Sequence, residues 1–477
     1  MDLSSLLLHK AKISQPSAER AKFAGIEEIS SVEIEDSSED FLKKLEVIYS
    51  STAIPGSVFH PGSEVEPHPD IDAWRQGIRS NLIKLDKLAE EETFEAIDEQ
   101  CKAFICTIPF MDAAPWTDQS IREVSRRIFN RLFQTSKKEW DFYLIRTLLN
   151  VYIRPRFESE APRPVLSFQK PSTAEEVRDH SYLSWKVKDA RMYLVLKWLF
   201  SQNIDLTLHS ELIIPPSLVV VYDYEESFRL VGLTFLTAIT KQTPRAKFKG
   251  SGLSAVFAEA AKSCLLYVPD DGSIRLADSS LELLIKLLDA SERPGEKEYY
   301  RYIQKNIIQP ALKRGTFTSS GDLASRRWLL TRLSVLMRMS GPYLIAYIQK
   351  FIDAACSGLE LPGFKNLQLD SDLPLRSCQL IQEIVGFGTC RLPYYASRIL
   401  IAITRCWAYA CGETTDLSLL KEEILKTFKQ VYELSDKDVV KRDICALCDL
   451  DSKIFLPLKE IAFSVNLQTL ENKSLEA

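Results

Sequence analysis

The stretch from 214 to 269 constrains the fold of this chain more than any other. It reads IPPSLVVVYDYEESFRLVGLTFLTAITKQTPRAKFKGSGLSAVFAEAAKSCLLYVP. Leu218 to Val221 forms an apolar wall and Asp223-Tyr224-Glu225-Glu226 a short acidic turn. Phe228, Val231, Leu233, Phe235, Leu236 and Ile239 then recur at helical spacing. Pro216 stands where it can open a helix, because a first-turn proline loses no hydrogen bond. A bend at Thr243-Pro244 leads into a third helical run. Helix, turn, helix with no catalytic group on either face is the unit of a HEAT-type solenoid. Each pair buries part of its apolar surface alone and completes its core on its neighbours. Chains built this way hold other proteins.

The same cadence extends through most of the 477 residues, too many for one hydrophobic core. Trp74, Ile78, Leu82, Leu85 and Leu88 fall on one stripe, and helices are predicted near 91–106, 118–134 and 137–151. Beyond a proline-rich break they are predicted at 174–186, 188–202, 207–220, 224–241, 251–266, 275–290, 297–314, 322–339, 342–356, 373–387, 393–411, 416–433, 437–450 and 453–464. Strand periodicity is nearly absent. The expected class is therefore all-α, a HEAT-like α-solenoid of antiparallel helix pairs. Its expected divisions are an acidic, largely disordered arm over 1–70, an N-terminal helical region over 71–153 and a Pro-rich joint over 154–173. Repeats over 174–470 and a polar tail over 471–477 complete it. Within the arm, Ile26 to Phe41 carries seven acids and no base, and weak helices are predicted near 3–11 and 41–50.

Charge and cysteine usage narrow the partners. A net charge of −5 gives no global field for nucleic acid or an anionic membrane, and no run of about 18 apolar residues predicts a membrane span. Leu6 to Leu8 is too short for the apolar core of a secretory signal. The ten thiols are thus expected to stay reduced, in cytoplasm and nucleus.

Motifs for chemistry are thin. Cys445-Ala-Leu-Cys448 is a CxxC, but a zinc site needs four ligands, and the histidines at 9, 60, 68, 180 and 209 lie far off in sequence. It reads as two core-facing helix cysteines. Gly250-Ser-Gly252 lacks the lysine and preceding strand of a phosphate loop. It reads as the end of one helix and the start of the next, with Ser251 or Ser254 as candidate N-cap. Asp36-Ser-Ser-Glu-Asp40 suits acid-directed phosphorylation at Ser37 or Ser38. No hydrolase, kinase, metalloprotease or Walker signature is present, so no enzyme, cofactor or metal is expected. Interface candidates are the basic run Lys241, Arg245, Lys247 and Lys249, four bases in nine residues without an acid. Arg326 with Trp328, and Trp407 with Tyr409, join them, since Trp, Tyr and Arg dominate interface hot spots.

A series of short runs resembles one known family. Lys197-Trp198-Leu199, Ile214-Pro-Pro-Ser-Leu218, Asp223-Tyr224 and Arg229-Leu-Val-Gly-Leu233 come first. Thr243-Pro244, Gly252-Leu253, Val256-Phe257, Leu265-Leu-Tyr-Val-Pro269, Gly341-Pro-Tyr-Leu344 and Arg405-Cys-Trp407 follow in order. Their order and spacing, over about 191–410, are similar to the Tel-two-interacting protein two family, the smallest subunit of the TTT co-chaperone complex. Thr389-Cys-Arg-Leu-Pro393 and the short Asp270-Asp-Gly-Ser273 depart from its pattern. The resemblance implies an all-helical scaffold without catalytic activity. It implies binding to the larger helical-solenoid subunits, chiefly the first Tel-two-interacting protein. The ninety-kilodalton heat-shock chaperone and the RuvB-like ATPases would be the working machinery. Phosphatidylinositol-3-kinase-related kinases of DNA-damage, telomere and TOR signalling would be the clients. On the residues alone, a HEAT-repeat adaptor in transport or trafficking stands as the alternative.

Overall fold

The computed structural model describes residues 32–59, 71–133, 142–158, 184–187, 189–202, 204–267, 274–317, 323–360, 372–388, 390–412 and 417–475. Among them there is no strand, and the chain is an all-α solenoid. Its first helices are α1 (Val32–Ser51), α2 (Ile71–Glu91), α3 (Ile97–Thr107), α4 (Gln119–Phe133) and α5, which starts at Phe142–Thr147. The middle holds α6 (Arg191–Ser201), α7 (Ser210–Val221), α8 (Glu226–Gln242), α9 (Arg245–Ser251), α10 (Leu253–Leu266), α11 (Arg275–Ser291) and α12, which starts at Lys297–Tyr302. The last helices are α13 (Leu323–Ser340), α14 (Ile348–Leu359), α15 (Asp372–Gly386), α16 (Leu392–Gly412), α17 (Ser418–Tyr432), α18 (Lys437–Leu450) and α19 (Ser452–Leu475).

Packing is local along the stack. From α7 onward, α8 lies on α7 and α11, α10 on α11 and α12, α13 on α12 and α15, α14 on α15 and α16, and α17 on α15, α16 and α19. The apolar stripes of successive helices merge into one core from Phe41 to Ala462. Each stripe is legible in its own helix: α4 buries Ile121, Val124, Ser125 and Ile128, steps of three and four residues.

The N-terminal segment departs from the expected arm. Phe41, Leu45 and Ile48 of α1 are buried, with α1 lying on α2 and α3, and Ile54, Val58 and Phe59 after it are buried too, the Phe59 ring against Trp116, Tyr193 and Phe228. Two of the acids support the helix: Glu39 pairs with Lys43 at 3.1 Å and Asp40 with Lys44 at 2.5 Å, both one turn apart. The helix predicted near 41–50 is the second half of α1, with its stripe at 41, 45 and 48 buried. Residues 1–31 and 60–70 lie outside the described residues, as do the weak helix near 3–11, most of the expected helix over 174–186 and most of the Pro-rich joint.

Two helices cross a proline that sequence rules treat as a stop. α5 continues through a π-helical turn, Leu148–Ile153, into Arg154–Glu158, and α12 through Ile303–Ile308 into Gln309–Phe317. In both, the proline (Pro155, Pro310) is the second residue after the turn. An interior proline donates nothing and its ring collides with the carbonyl four residues back. Widening the preceding turn shifts the bonds: Arg154 N–H reaches back to the Leu149 carbonyl and Gln309 N–H to that of Gln304. In α7, Pro215 and Pro216 lie inside the helix, so Pro216 does not open it. Burial of Leu212, Ile213 and Val219 to Val221 offsets the lost bonds. The long C-terminal helix α19 also exceeds its expected end at 464, its backbone staying helical to Leu475.

Glycine matters at two joints. Gly252, at φ 73°, separates α9 from α10 in the left-handed region. The helix boundary falls there as expected, but neither predicted serine caps α10: the Ser251 hydroxyl accepts from Leu253 N–H only at 3.4 Å. Gly232 lies where α8 meets the end of α7, and a Cβ there would sit 2.6 Å from the Val221 nitrogen.

Candidate protein-interaction surface

Three buried cations join the layers that the surface is built on. Arg191, at the head of α6, is 2% exposed. Its Nε and Nη2 donate to the Asp189 carboxylate at 2.7–3.0 Å, and Nη1 donates to the Tyr49 carbonyl and Thr52 Oγ1 at 2.7 Å. The Tyr49 ring lies 4.6 Å beneath the guanidinium, and Asp189 Oδ1 also accepts from Ile54 N–H at 3.4 Å. This polar knot fastens the N-terminal segment to α6. Lys186 makes the second joint. Its Nζ donates to Asp223 and Glu225 at 2.7 Å each and faces the Phe228 and Tyr224 rings at 4.2 and 4.5 Å. Burial raises the Asp223 carboxyl above its ordinary range, against the pull of Lys186. Arg314 of α12 makes the third, donating to the carbonyls of Leu265 and Tyr267 at the end of α10. Each cation is paired or hydrogen-bonded where desolvation would otherwise be severe, so these groups hold the stack together.

The cysteines follow the bland reading of the sequence. Cys448 is buried and Cys445 half-buried on α18, and no group of three or more His, Cys, Asp and Glu among the described residues is placed to hold a metal. Burial pushes the thiols of Cys101, Cys356, Cys378 and Cys406 up to about 12. A thiol this weakly acidic holds almost no thiolate at pH 8, and thiolate is the nucleophile. In the native chain at pH 8, iodoacetamide is expected to label exposed Cys390 first and half-buried Cys411 and Cys445 more slowly. Those four should react only in denaturant, a result that peptide mass mapping reads directly.

The aromatic candidates are mortar between helices. Trp328 is 4% exposed, and its Nε1–H donates to Asp278 of α11 at 2.5 Å. Arg332 shares that carboxylate at 2.7 Å. Trp407, also 4% exposed, donates to the Ile454 carbonyl of α19 at 2.8 Å. The interface reading of both is corrected: Trp407 shares a stripe with Leu400, Ile403 and Ala410, and Trp328 with Ser325 and Leu329, all buried. Tyr409 and Arg326 are half-buried. Lys241, Arg245, Lys247 and Lys249 are all exposed, on the end of α8 and on α9. Part of this patch turns back on the fold. Arg245 hydrogen-bonds the Glu292 carbonyl, Lys249 lies 3.8 Å from the Glu292 carboxylate, and Lys247 reaches the Thr207 carbonyl at 3.4 Å.

A surface the sequence did not reveal lies between α12, α13 and α14. It is a half-open cleft of about 440 Å³ that includes Arg326 in its wall. Leu312, Leu329, Leu330 and, from α15, Leu373 form its floor, and Lys313, Asp353 and Lys350 stand with Arg326 at its edge. Gly358 lets α14 approach α15 closely, since a Cβ there would meet the Ser377 hydroxyl at 2.2 Å. At the cleft, Gln309 Nε2 donates to the Tyr347 hydroxyl at 3.0 Å; elsewhere on α12 the Tyr300 ring stacks on that of Tyr343 at 4.2 Å. The cleft draws on three helices that are separate in sequence, so no local motif marks it. The nearest sequence signal was Arg326 itself, chosen by residue type rather than by any pattern that marks a cleft.

A protein-family model matches the chain. The model described as the Tti2 family covers residues 105–365, more than half of the chain. That span runs from within α3 past the end of α14, and so includes the basic patch and the three helices that wall the cleft. No curated protein matches the chain.

Proposed function

The chain belongs to the Tti2 family of TTT-complex subunits, and on that premise we propose that it acts as a non-enzymatic scaffold of this co-chaperone. In this reading it holds the larger helical-solenoid subunits together with the heat-shock chaperone and RuvB-like ATPase machinery. The assembly helps mature and stabilise phosphatidylinositol-3-kinase-related kinases in cytoplasm and nucleus. The observation that carries the reading is the family match lying over helices that share one core among the described residues. A stack whose helices are satisfied by their neighbours can offer broad outer ridges to a partner. Stable assemblies of this kind bury more than about 2,000 Å².

Purification of the tagged native protein with mass spectrometry tests it. Two large helical partners and kinases of the phosphatidylinositol-3-kinase-related class should come along. A set of small GTPases, coat proteins or nuclear-pore proteins would replace the reading with the trafficking adaptor.

The exposed run Lys241, Arg245, Lys247 and Lys249 is proposed as a docking patch for an acidic partner segment. Charge complementarity at a rim acts mainly on encounter and salt dependence. Reversing all four charges is expected to lower recovery of a larger subunit by about tenfold at low salt, with the gap to the native chain narrowing at higher salt, where the charges are screened. Single surface changes usually shift stability by no more than about 0.5 kcal/mol, so a melting curve separates lost docking from lost fold. Unchanged recovery would end the proposal for this patch.

A further inference from the structure

We propose that the cleft between α12, α13 and α14 seats an acidic amphipathic helix from another subunit, an inference that rests on membership of the TTT complex. Three observations point the same way. The floor is leucine, from Leu312, Leu329, Leu330 and Leu373, and apolar surface of this kind is what a helix presents at positions i, i+3, i+4 and i+7. The edge is basic: Lys313, Arg326 and Lys350 against the single acid Asp353 among the described lining residues. This excess of two positive charges runs against the chain's overall −5, and it favours an acidic partner at encounter and in register. A tyrosine borders the lining, its half-buried hydroxyl, that of Tyr347, accepting from Gln309 Nε2 at 3.0 Å. Arginine and tyrosine around an apolar floor is the composition of an interface hot spot.

The geometry also says how the occupant lies. The cleft's walls are helices of successive layers, so a helix laid along it would add one more rod to the stack. Its leucine-type residues would meet the floor and its acids the three bases. The long stems of Lys313, Arg326 and Lys350 can fold over the floor when the cleft is empty and swing aside to meet carboxylates. Asp353 would repel an acid placed directly over it, which sets the partner's acids beside Lys313 of α12, Arg326 of α13 and, one turn before Asp353 on α14, Lys350.

Site-specific photocross-linking tests the seat. Benzoylphenylalanine is placed at Ser357, an exposed residue of the cleft wall, in the tagged full-length chain. The purified complex is then irradiated and the linked peptide sequenced. The expected result is a peptide from another subunit in which acids outnumber bases and apolar residues recur every three to four positions. R326E/K350E is expected to abolish that cross-link and lower recovery of the same subunit about tenfold, and Asp353→Asn to retain or strengthen both. R326Q/K350Q, with intermediate loss, serves if the reversal unfolds the chain, as judged by circular dichroism. A cross-link within this chain, to a second copy, or to a basic segment overturns the proposal. So does the absence of any cross-link in a complex that still contains both larger subunits, and the co-chaperone reading then stands without it. Failure to recover those subunits at all removes the premise, and the proposal with it.

Discussion

Asp189→Ala is expected to destabilise the protein by about 3–5 kcal/mol, the range for removing one partner of a buried ion pair. The Arg191 guanidinium would stay buried with only the Tyr49 carbonyl, the Thr52 hydroxyl and the Tyr49 ring around it. Neutral acceptors compensate a desolvated cation poorly. Ile54 N–H would lose its acceptor too. Urea unfolding measures the loss, and hydrogen exchange locates it. Amides of α1 and of the Ser51–Ile54 bend should lose protection, while those of α15 to α17, far along the stack, keep theirs. Replacing both partners with apolar residues, Asp189→Leu with Arg191→Met, should recover much of the stability. A uniform loss, or one under about 1 kcal/mol, would mean that the knot does not fasten this segment.

Gly232→Val should be as damaging for a steric reason. A Cβ at this position meets the Val221 nitrogen at 2.6 Å and its Cα at 2.8 Å, and backbone cannot swing away as a side-chain tip can. Overpacking alone costs typically about 1–3 kcal/mol, and valine adds two methyl groups to the clash. The helix-propensity gain over glycine, under about 1 kcal/mol, does not offset it. The melting temperature should fall by several degrees. The same measurement carries an internal reporter. Cys264 is buried with its Sγ–H directed at the Val221 carbonyl at 3.6 Å, so separating α7 from α8 should open this thiol to iodoacetamide. Gly232→Ala should show the same effects at smaller amplitude. A wild-type melt with Cys264 still protected would refute the close-approach account.

Helix existence was legible in the sequence because each stripe is a local property. Leu276, Leu283, Leu284, Leu287 and Leu288 of α11 show their face without any knowledge of the fold. What escaped needed knowledge of distant residues. Lys186 meets Asp223 across 37 positions, and nothing near either marks them as buried. Trp328 and Trp407 looked like surface anchors by residue type, yet each indole N–H finds its acceptor 47 or more residues away. One proline misled in the opposite direction. Pro155, read as part of a break, follows a turn already widened to receive it, as does Pro310, which the predicted helix over 297–314 already crossed. Arg326 was chosen by residue type alone, and the structure puts it in the wall of the cleft.

The knot at Arg191 also sets an order of events during synthesis. Tyr49 leaves the ribosome 142 residues before the arginine that binds its carbonyl. At about 5–20 residues per second, that is a wait of about 7–28 s. In the interval α1 can settle on α2 and α3 as they emerge, but the bend from Ser51 to Ile54 has neither Asp189 nor Arg191 to hold it. For that time the nascent chain displays Ile54, Val58 and Phe59, buried in the finished fold, to whatever waits at the exit tunnel. A chain of the Tti2 family thus begins its own life with an apolar segment a chaperone could bind.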